Sequence, residues 1–162
     1  MLNVLTPKGR DAENAAREAI LKLQKEGQSF VWFPEHNFFP VDGFVTSGSS
    51  ITAIFEGKSR RASFADGQMT YNGKAYSELL ITANKIDNGV KLAQQMGINF
   101  YIIICFELSD LCVSFKVYDQ GTHRVIEHKR RNTRTQAGAN GGSVFRDNAY
   151  IDFSLCNVGF VL

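Results

Sequence analysis

PVDGFVTSGSSITAIFEGKSRR, residues 40–61, holds two apolar runs on either side of Ser47-Gly48-Ser49-Ser50. The runs are rich in β-branched and aromatic residues and the link between them has turn composition, so the stretch predicts a β-hairpin. Asp42 opens the first run and Glu56-Gly57-Lys58 closes the second. Successive side chains of a strand alternate between faces, which puts Glu56 and Lys58 on one face and Phe55 and Gly57 on the other.

Whether Asp42 joins that acid and amine depends on the turn. A two-residue Gly48-Ser49 turn sets Asp42 opposite Phe55, on the wrong face. A three-residue turn over Gly48-Ser49-Ser50 pairs Ser47 with Ile51 and therefore Asp42 with Glu56, because a slip of one residue flips every side chain. In that register two carboxylates meet beside a lysine. Facing carboxylates repel unless something positive lies between them, and the economical candidate is a divalent cation with oxygen ligands, Mg²⁺ or Mn²⁺.

An Asp, a hairpin's length, then Glu-x-Lys on an apolar strand followed by a helix resembles the PD-(D/E)XK nuclease superfamily, with Pro40-Val41-Asp42 as a loose form of the first half-motif. The resemblance implies that Asp42, Glu56 and the Gly57 carbonyl hold the metal and that Lys58 orients or stabilises the attacking hydroxide. Residues 11–26, DAENAAREAILKLQKE, are rich in helix formers, with Ala15, Ala16, Ala19, Ile20 and Leu23 spaced for one buried stripe. Asp11 suits the N-cap and Gly27 the stop. Gly9-x-x-x-Glu13, this first helix and a β-run at residues 29–33 are similar to the opening of archaeal-type Holliday junction resolvases. In those proteins the helix glutamate is a further acidic residue of the metal site, a catalytic and metal-binding role the resemblance carries to Glu13.

At 162 residues and 44% apolar content, one well-buried domain is expected over residues 1–162. The Met1–Leu5 apolar patch is too short for a signal peptide core, and no run approaches the ~20 apolar residues that span a bilayer. A soluble, cytoplasmic protein without a membrane partner is expected. Cys105, Cys112 and Cys156 lie in apolar runs without a C-x-x-C pair, so they are expected as buried thiols rather than a disulfide framework or zinc site. Glu35-His36-Asn37, one loop from Asp42, is a polar cluster that reads first as a solvated turn.

Beyond Lys58 the sequence SRRASFADGQMTYNGKAY predicts a loop with at most a short hairpin, and its glycine spacing with Ala75 does not make a P-loop. Residues 75–96 have apolar positions at helical steps, with Lys85 on that helix, and residues 99–106, NFYIIICF, read as a strand buried on both faces. In many nucleases with this layout the corresponding helix adds a Lys or Gln near the active site; for Lys85 the plainer reading is a solvated helix lysine. Residues 112–118 predict another strand, and residues 123–131 are a candidate for a further short one.

Charge is segregated along the chain. Residues 123–146 hold Arg124, Lys129, Arg130, Arg131, Arg134 and Arg146 against Glu127 alone, a net +5 where the whole chain is +2. From Arg130 the chain reads RRNTRTQAGANGGSVFRDNAY, residues 130–150, short of apolar anchors and rich in Gly, Asn and Thr, which predicts a basic, flexible loop able to follow a phosphate backbone. Phe145 and Tyr150 lie within or beside it and are read first as buried, or else as platforms for unpaired bases. Arg60 and Arg61, directly past the acid pair, join Lys129, Arg130, Arg131, Arg134 and Arg146 as candidate nucleic-acid contacts.

Together these readings predict an α/β, restriction-endonuclease-like fold, a central mixed sheet flanked by helices. The function implied is a Mg²⁺- or Mn²⁺-dependent endonuclease hydrolysing DNA phosphodiester bonds, in layout most like a Holliday junction resolvase or phage nuclease. A second copy of the chain is a candidate partner. The alternative is a nucleic-acid-binding protein of the same fold that does not cleave.

Overall fold

The computed structural model describes residues 7–34, 39–136 and 142–160. In chain order the elements are α1 (Pro7–Leu21), β1 (Gln28–Trp32), β2 (Gly43–Ser47), β3 (Ser50–Arg60), β4 (Ser63–Ala65), β5 (Gln68–Tyr71), β6 (Lys74–Tyr76) and β7 (Glu78–Thr82). They continue with α2 (Ala83–Met96), β8 (Asn99–Phe106), β9 (Leu111–Asp119), β10 (Arg124–Val125), β11 (Lys129–Gln136) and β12 (Ser143–Asp152). A 3-10 turn (Phe153–Leu155) and β13 (Asn157–Val158) close the described chain.

The fold is mixed α/β around a mixed central sheet in the order β1-β2-β3-β8-β9-β10, with β13 also on β9. β1, β2 and β3 form an antiparallel meander, and β3 runs parallel to β8 through the crossover that contains α2. A parallel neighbour needs such a crossover. Its strands are consequently dry: Phe100 to Phe106 are all buried, as the unbroken apolar run implies. α1 covers one face, where Ile20 meets Phe30, Phe55, Tyr101 and Phe160. On the other face α2 packs Ile86, Val90 and Ala93 with Ile54, Phe100 and Ile102. Two small sheets flank this core, β4-β5-β6 and β11-β12-β7.

The β2–β3 register combines both turns considered from sequence. Ser47 pairs with Ser50 across a two-residue Gly48-Ser49 turn, so the three-residue turn is corrected. The ladder then shifts: Thr46 faces Ile51 but Val45 faces Ala53, leaving Thr52 as the extra residue of a β-bulge with its hydroxyl donated to the Val45 carbonyl at 3.2 Å. One inserted residue restores the parity that the short turn took away. Gly43 therefore faces Phe55, and Asp42 falls beside Glu56.

Other expectations change. The first helix spans Pro7–Leu21, so Asp11 lies inside it; Pro7 suits the first turn, where a missing N–H costs nothing. Gly27, at φ 74°, belongs instead to the turn before β1, where its carbonyl accepts from the Gly48 N–H. The segment before α2 is strand: Leu79 and Ile81 are buried and Leu80 is exposed, period two rather than helical. The expected loop after Lys58 contains the β4-β5-β6 meander; β10 and the start of β11 fall in the 123–131 run expected as a strand, and the loop expected over residues 130–150 holds most of β11 and β12, with residues 137–141 outside the described residues. Cys105 and Cys112 face each other across β8–β9 and are disulfide-bonded, leaving Cys156 as the free thiol and correcting the expectation of three. Glu35, His36 and Asn37 lie outside the described residues.

Gly89 sets how closely α2 approaches the sheet. A Cβ there would overlap the ring of Phe100, a fully buried side chain with nowhere to move. Alanine is favoured over glycine in helices by about 1 kcal/mol, but overpacking a core typically costs about 1–3 kcal/mol. Gly89→Ala is expected to lower the urea midpoint at unchanged m-value; a midpoint at or above wild type would mean that α2 is free to lift.

Candidate active site

Period two puts Glu56, Lys58 and Arg60 along the α2 face of β3, and the Thr52 bulge brings Asp42 to the same place. Glu56 is only 2% exposed. Its Oε1 receives Lys85 Nζ at 2.9 Å and Lys58 Nζ at 3.6 Å. Its Oε2 is buried without a hydrogen-bond partner. Asp42 Oδ2 accepts from the Gly57 N–H at 2.8 Å, just past the point where β2 ends and β3 loses its neighbour. A residue's N–H and C=O leave a strand on the same side, so the Gly57 carbonyl also emerges at this edge. On the opposite face a Cβ at Gly57 would meet Ile20 and Trp32, which lets α1 and β1 close over the strand there.

The electrostatics separate the four charged groups. Burial, reinforced by the negative charge of Glu56, raises Asp42 from the ordinary carboxylate range to about 6, against the Gly57 N–H, Lys85 and Lys58, which hold it down. Burial lowers Lys58, with Glu56 opposing and Lys85 and Arg60 adding to the effect. For Lys85 burial acts against the charge too, but Glu56, by charge and hydrogen bond, and Asp42 outweigh it and the ammonium is held above its usual range. One lysine is thus a fixed cation and the other an amine brought nearer to neutrality, the kind of separation that assigns acid–base roles.

Asp42 is expected to leave a pH signature. A carboxyl whose folded value is raised binds more protons folded than unfolded, so stability falls as pH rises from about 4 through about 6. Asp42→Asn keeps an acceptor for Gly57 and removes that cost. It is expected to stabilise the metal-free protein by about 3 kcal/mol at pH 7.5, and by about half of that at pH 5. Equal gains at both pH values, read from thermal melts, would show that burial and Glu56 do not raise Asp42.

Asp42, Glu56, Gly57 and Lys58 are brought together, and Lys85 joins them. The plainer reading of Lys85 as solvated is corrected: helix position alone does not show which strand a lysine reaches. Glu13 sits on α1, the helix over the opposite face, and pairs with Arg17 at 3.3 Å. Arg60 is half-buried beside Lys58, its guanidinium reaching the Ser59 carbonyl, whereas Arg61 is exposed and pairs with Glu107 at 3.7 Å.

The basic residues of β11 and β12 divide in two. Lys129 is paired with Glu78, and Arg130 with Asp87 of α2 and Asp147. Arg131 lies over the Tyr150 ring and Arg134 over that of Phe145. Among the described residues Arg131, Arg134 and Arg146 have no carboxylate within 4 Å. Both rings thus meet an arginine, and Phe145, 67% exposed, is not buried as first expected. Asp87 and Glu78 were not foreseen as partners, since nothing local in sequence links them to residues some fifty positions away.

Among the described residues no three His, Cys, Asp or Glu side chains gather as a metal cluster. The acid pair nonetheless fits a hard cation: Mg²⁺ takes one or two carboxylates and keeps several waters, and the unpartnered Glu56 Oε2 with the raised Asp42 are what a missing positive charge would satisfy. No helix among the described residues is long and apolar enough to cross a membrane. No protein-family model, curated protein or solved structure matches this chain.

Proposed function

We propose that this protein is a metal-dependent endonuclease of the restriction-endonuclease-like, PD-(D/E)XK kind, hydrolysing DNA phosphodiester bonds. The observation that carries the reading is the Asp42–Glu56 pair on one face with Lys58, at the point where β2 ends. The element order supports it: helix, three-stranded meander, crossover helix, parallel strand is the core order of such enzymes.

Asp42, Glu56 and the Gly57 carbonyl would hold the divalent cation, which supplies Lewis acidity and a bound water of lowered pKa. Lys85 anchors Glu56 through Oε1 and so leaves Oε2 for that role. Lys58, lowered by burial, orients the attacking water and takes or shares its proton. Arg60, two residues on along the same face, lies where a phosphate oxygen would be met. Developing charge on the phosphoryl group is balanced by fixed cations that need no rearrangement.

The test is incubation of labelled duplex, single-strand, four-way-junction and RNA substrates with Mg²⁺ and with EDTA. Mg²⁺-dependent scission of at least one DNA substrate is expected, and a junction preference would extend the resemblance to resolvases. No scission of any substrate would leave the second reading, a non-cleaving nucleic-acid-binding protein. One observation favours that reading: Lys58 and Lys85 already set two positive charges against the two carboxylates.

A further inference from the structure

β12 pairs with β7 only from Asn148 to Asp152, so the outer half of the β11–β12 hairpin is a two-stranded ribbon with no third strand. From Asn132 to Arg134 and from Val144 to Arg146 it carries two arginines and no acid. Arg134 and Phe145 share one face, and Arg146 points from the other together with Arg131. Arg134, Phe145 and Arg146 are exposed. Strands paired only to each other, with guanidiniums on both faces that meet no carboxylate and with Arg146 beside Thr82 and Asn84 at the start of α2, have the wrong chemistry for burial and the right one for a polyanion.

We propose that this ribbon is a groove-binding arm that enters the major groove of duplex DNA; the inference rests on the nucleic-acid reading above and names the form of the substrate. Dimensions select the groove. A strand pair with side chains on both faces is about 10 Å thick, which matches a major groove about 12 Å wide and exceeds a minor groove of about 6 Å. The deep, narrow major groove of A-form RNA excludes it. Single strands are disfavoured because successive bases need a series of open rings: Tyr150 is half-buried with Arg131 over it at 5.5 Å, which leaves Phe145, itself shared with Arg134 at 5.3 Å, as a lone exposed ring. Within a groove, Arg134 can donate to guanine or phosphate and Phe145 can meet a thymine methyl.

The arm is also tied to the acid pair. α2 holds Glu56 through Lys85 on one side and the ribbon's base through the Asp87–Arg130 ion pair, 3.0 Å at its second contact, on the other. One helix, about 10–12 Å across, thus separates the arm from the site, close to the width of the groove. A duplex with the arm in its major groove would present the strand bordering that groove to Lys85, Lys58 and Arg60.

Binding is measured in EDTA with the full chain, by fluorescence anisotropy on one sequence prepared as DNA duplex, DNA single strand and RNA duplex. It is repeated on duplex whose cytosines carry glucosylated hydroxymethyl groups, which fill the major groove, and on duplex saturated with distamycin, which fills the minor groove. Preference for DNA duplex is expected, with at least tenfold loss on the glucosylated duplex and little effect of distamycin. Arg134→Ala with Arg146→Ala, both at exposed positions and with the fold checked by circular dichroism, should reduce the salt slope by about two, so that affinity falls about tenfold less between 50 and 200 mM salt. Tighter binding to single strand or RNA duplex, displacement by distamycin instead of by the sugar, or an unchanged salt slope would overturn the arm. Groove-dependent binding without Mg²⁺-dependent scission would support the arm and count against the nuclease alone.

Discussion

Glu56→Gln is expected to abolish Mg²⁺-dependent cleavage, by at least a thousandfold, while DNA binding in EDTA stays within a few-fold of wild type. The substitution preserves shape and one acceptor for Lys85, so the sheet has no reason to unfold; its stability lies in Ile54, Phe100, Ile102 and their neighbours. What it removes is the charge that makes Oε2 a ligand. In the proposed nuclease, phosphate contacts elsewhere would supply most of the affinity, so binding should survive the loss of chemistry. Binding without metal is expected to tighten slightly, because one of two negative charges facing the phosphate is gone. Persistence of Mg²⁺-dependent cleavage in this variant would place the activity at another site or in a contaminant.

The two lysines are expected to fail differently. Lys58→Ala should lower cleavage about a hundred- to a thousandfold with metal affinity little changed, since in the proposed mechanism the amine would meet water and phosphate rather than the cation. Lys85→Ala acts through its partners. It leaves Glu56 with Lys58 alone at 3.6 Å, and breaking one arm of a buried charge cluster is expected to cost about 1–3 kcal/mol of stability. Because Lys85 helps to hold Asp42 down, its loss should also move the pH below which metal binding fails upward from about 6. Identical behaviour of the two variants in stability and in pH dependence would mean that the division of roles is wrong.

Much of this site was legible because period two is a strong signal where one face is buried. Glu56, Lys58 and the strands at Phe100–Phe106 and Cys112–Tyr118 follow from alternation or from apolar density. The bulge at Thr52 was not legible: bulges are set by hydrogen bonds between strands, and Thr52 carries no local mark of one. The two-residue turn and the bulge are two departures that cancel, so Asp42 reaches Glu56 by a route different from the one expected. β7 was hidden because Leu79, Ala83 and Ile86 happen to continue a helical spacing, while Leu80 and Ile81 speak for strand. The ribbon was hidden for the opposite reason. From Asn132 to Arg134 and from Val144 to Arg146 no side chain is buried, so the stretch shows no alternation and its polar composition reads as loop. Lys85 needed the tertiary approach of α2 to β3, which Gly89 permits and no single stretch encodes.

Calorimetric titration of Mg²⁺ and Mn²⁺ into wild type and Glu56→Gln at pH 7.5, repeated at pH 5.5, tests the acid pair directly. Expected are one binding event in the wild type, none in Glu56→Gln, and weaker binding at pH 5.5 where a proton competes for Asp42. Wild-type protein that takes up no divalent cation at pH 7.5, or a variant that binds it as well as wild type, would contradict the assignment of Asp42 and Glu56 as a metal-holding pair.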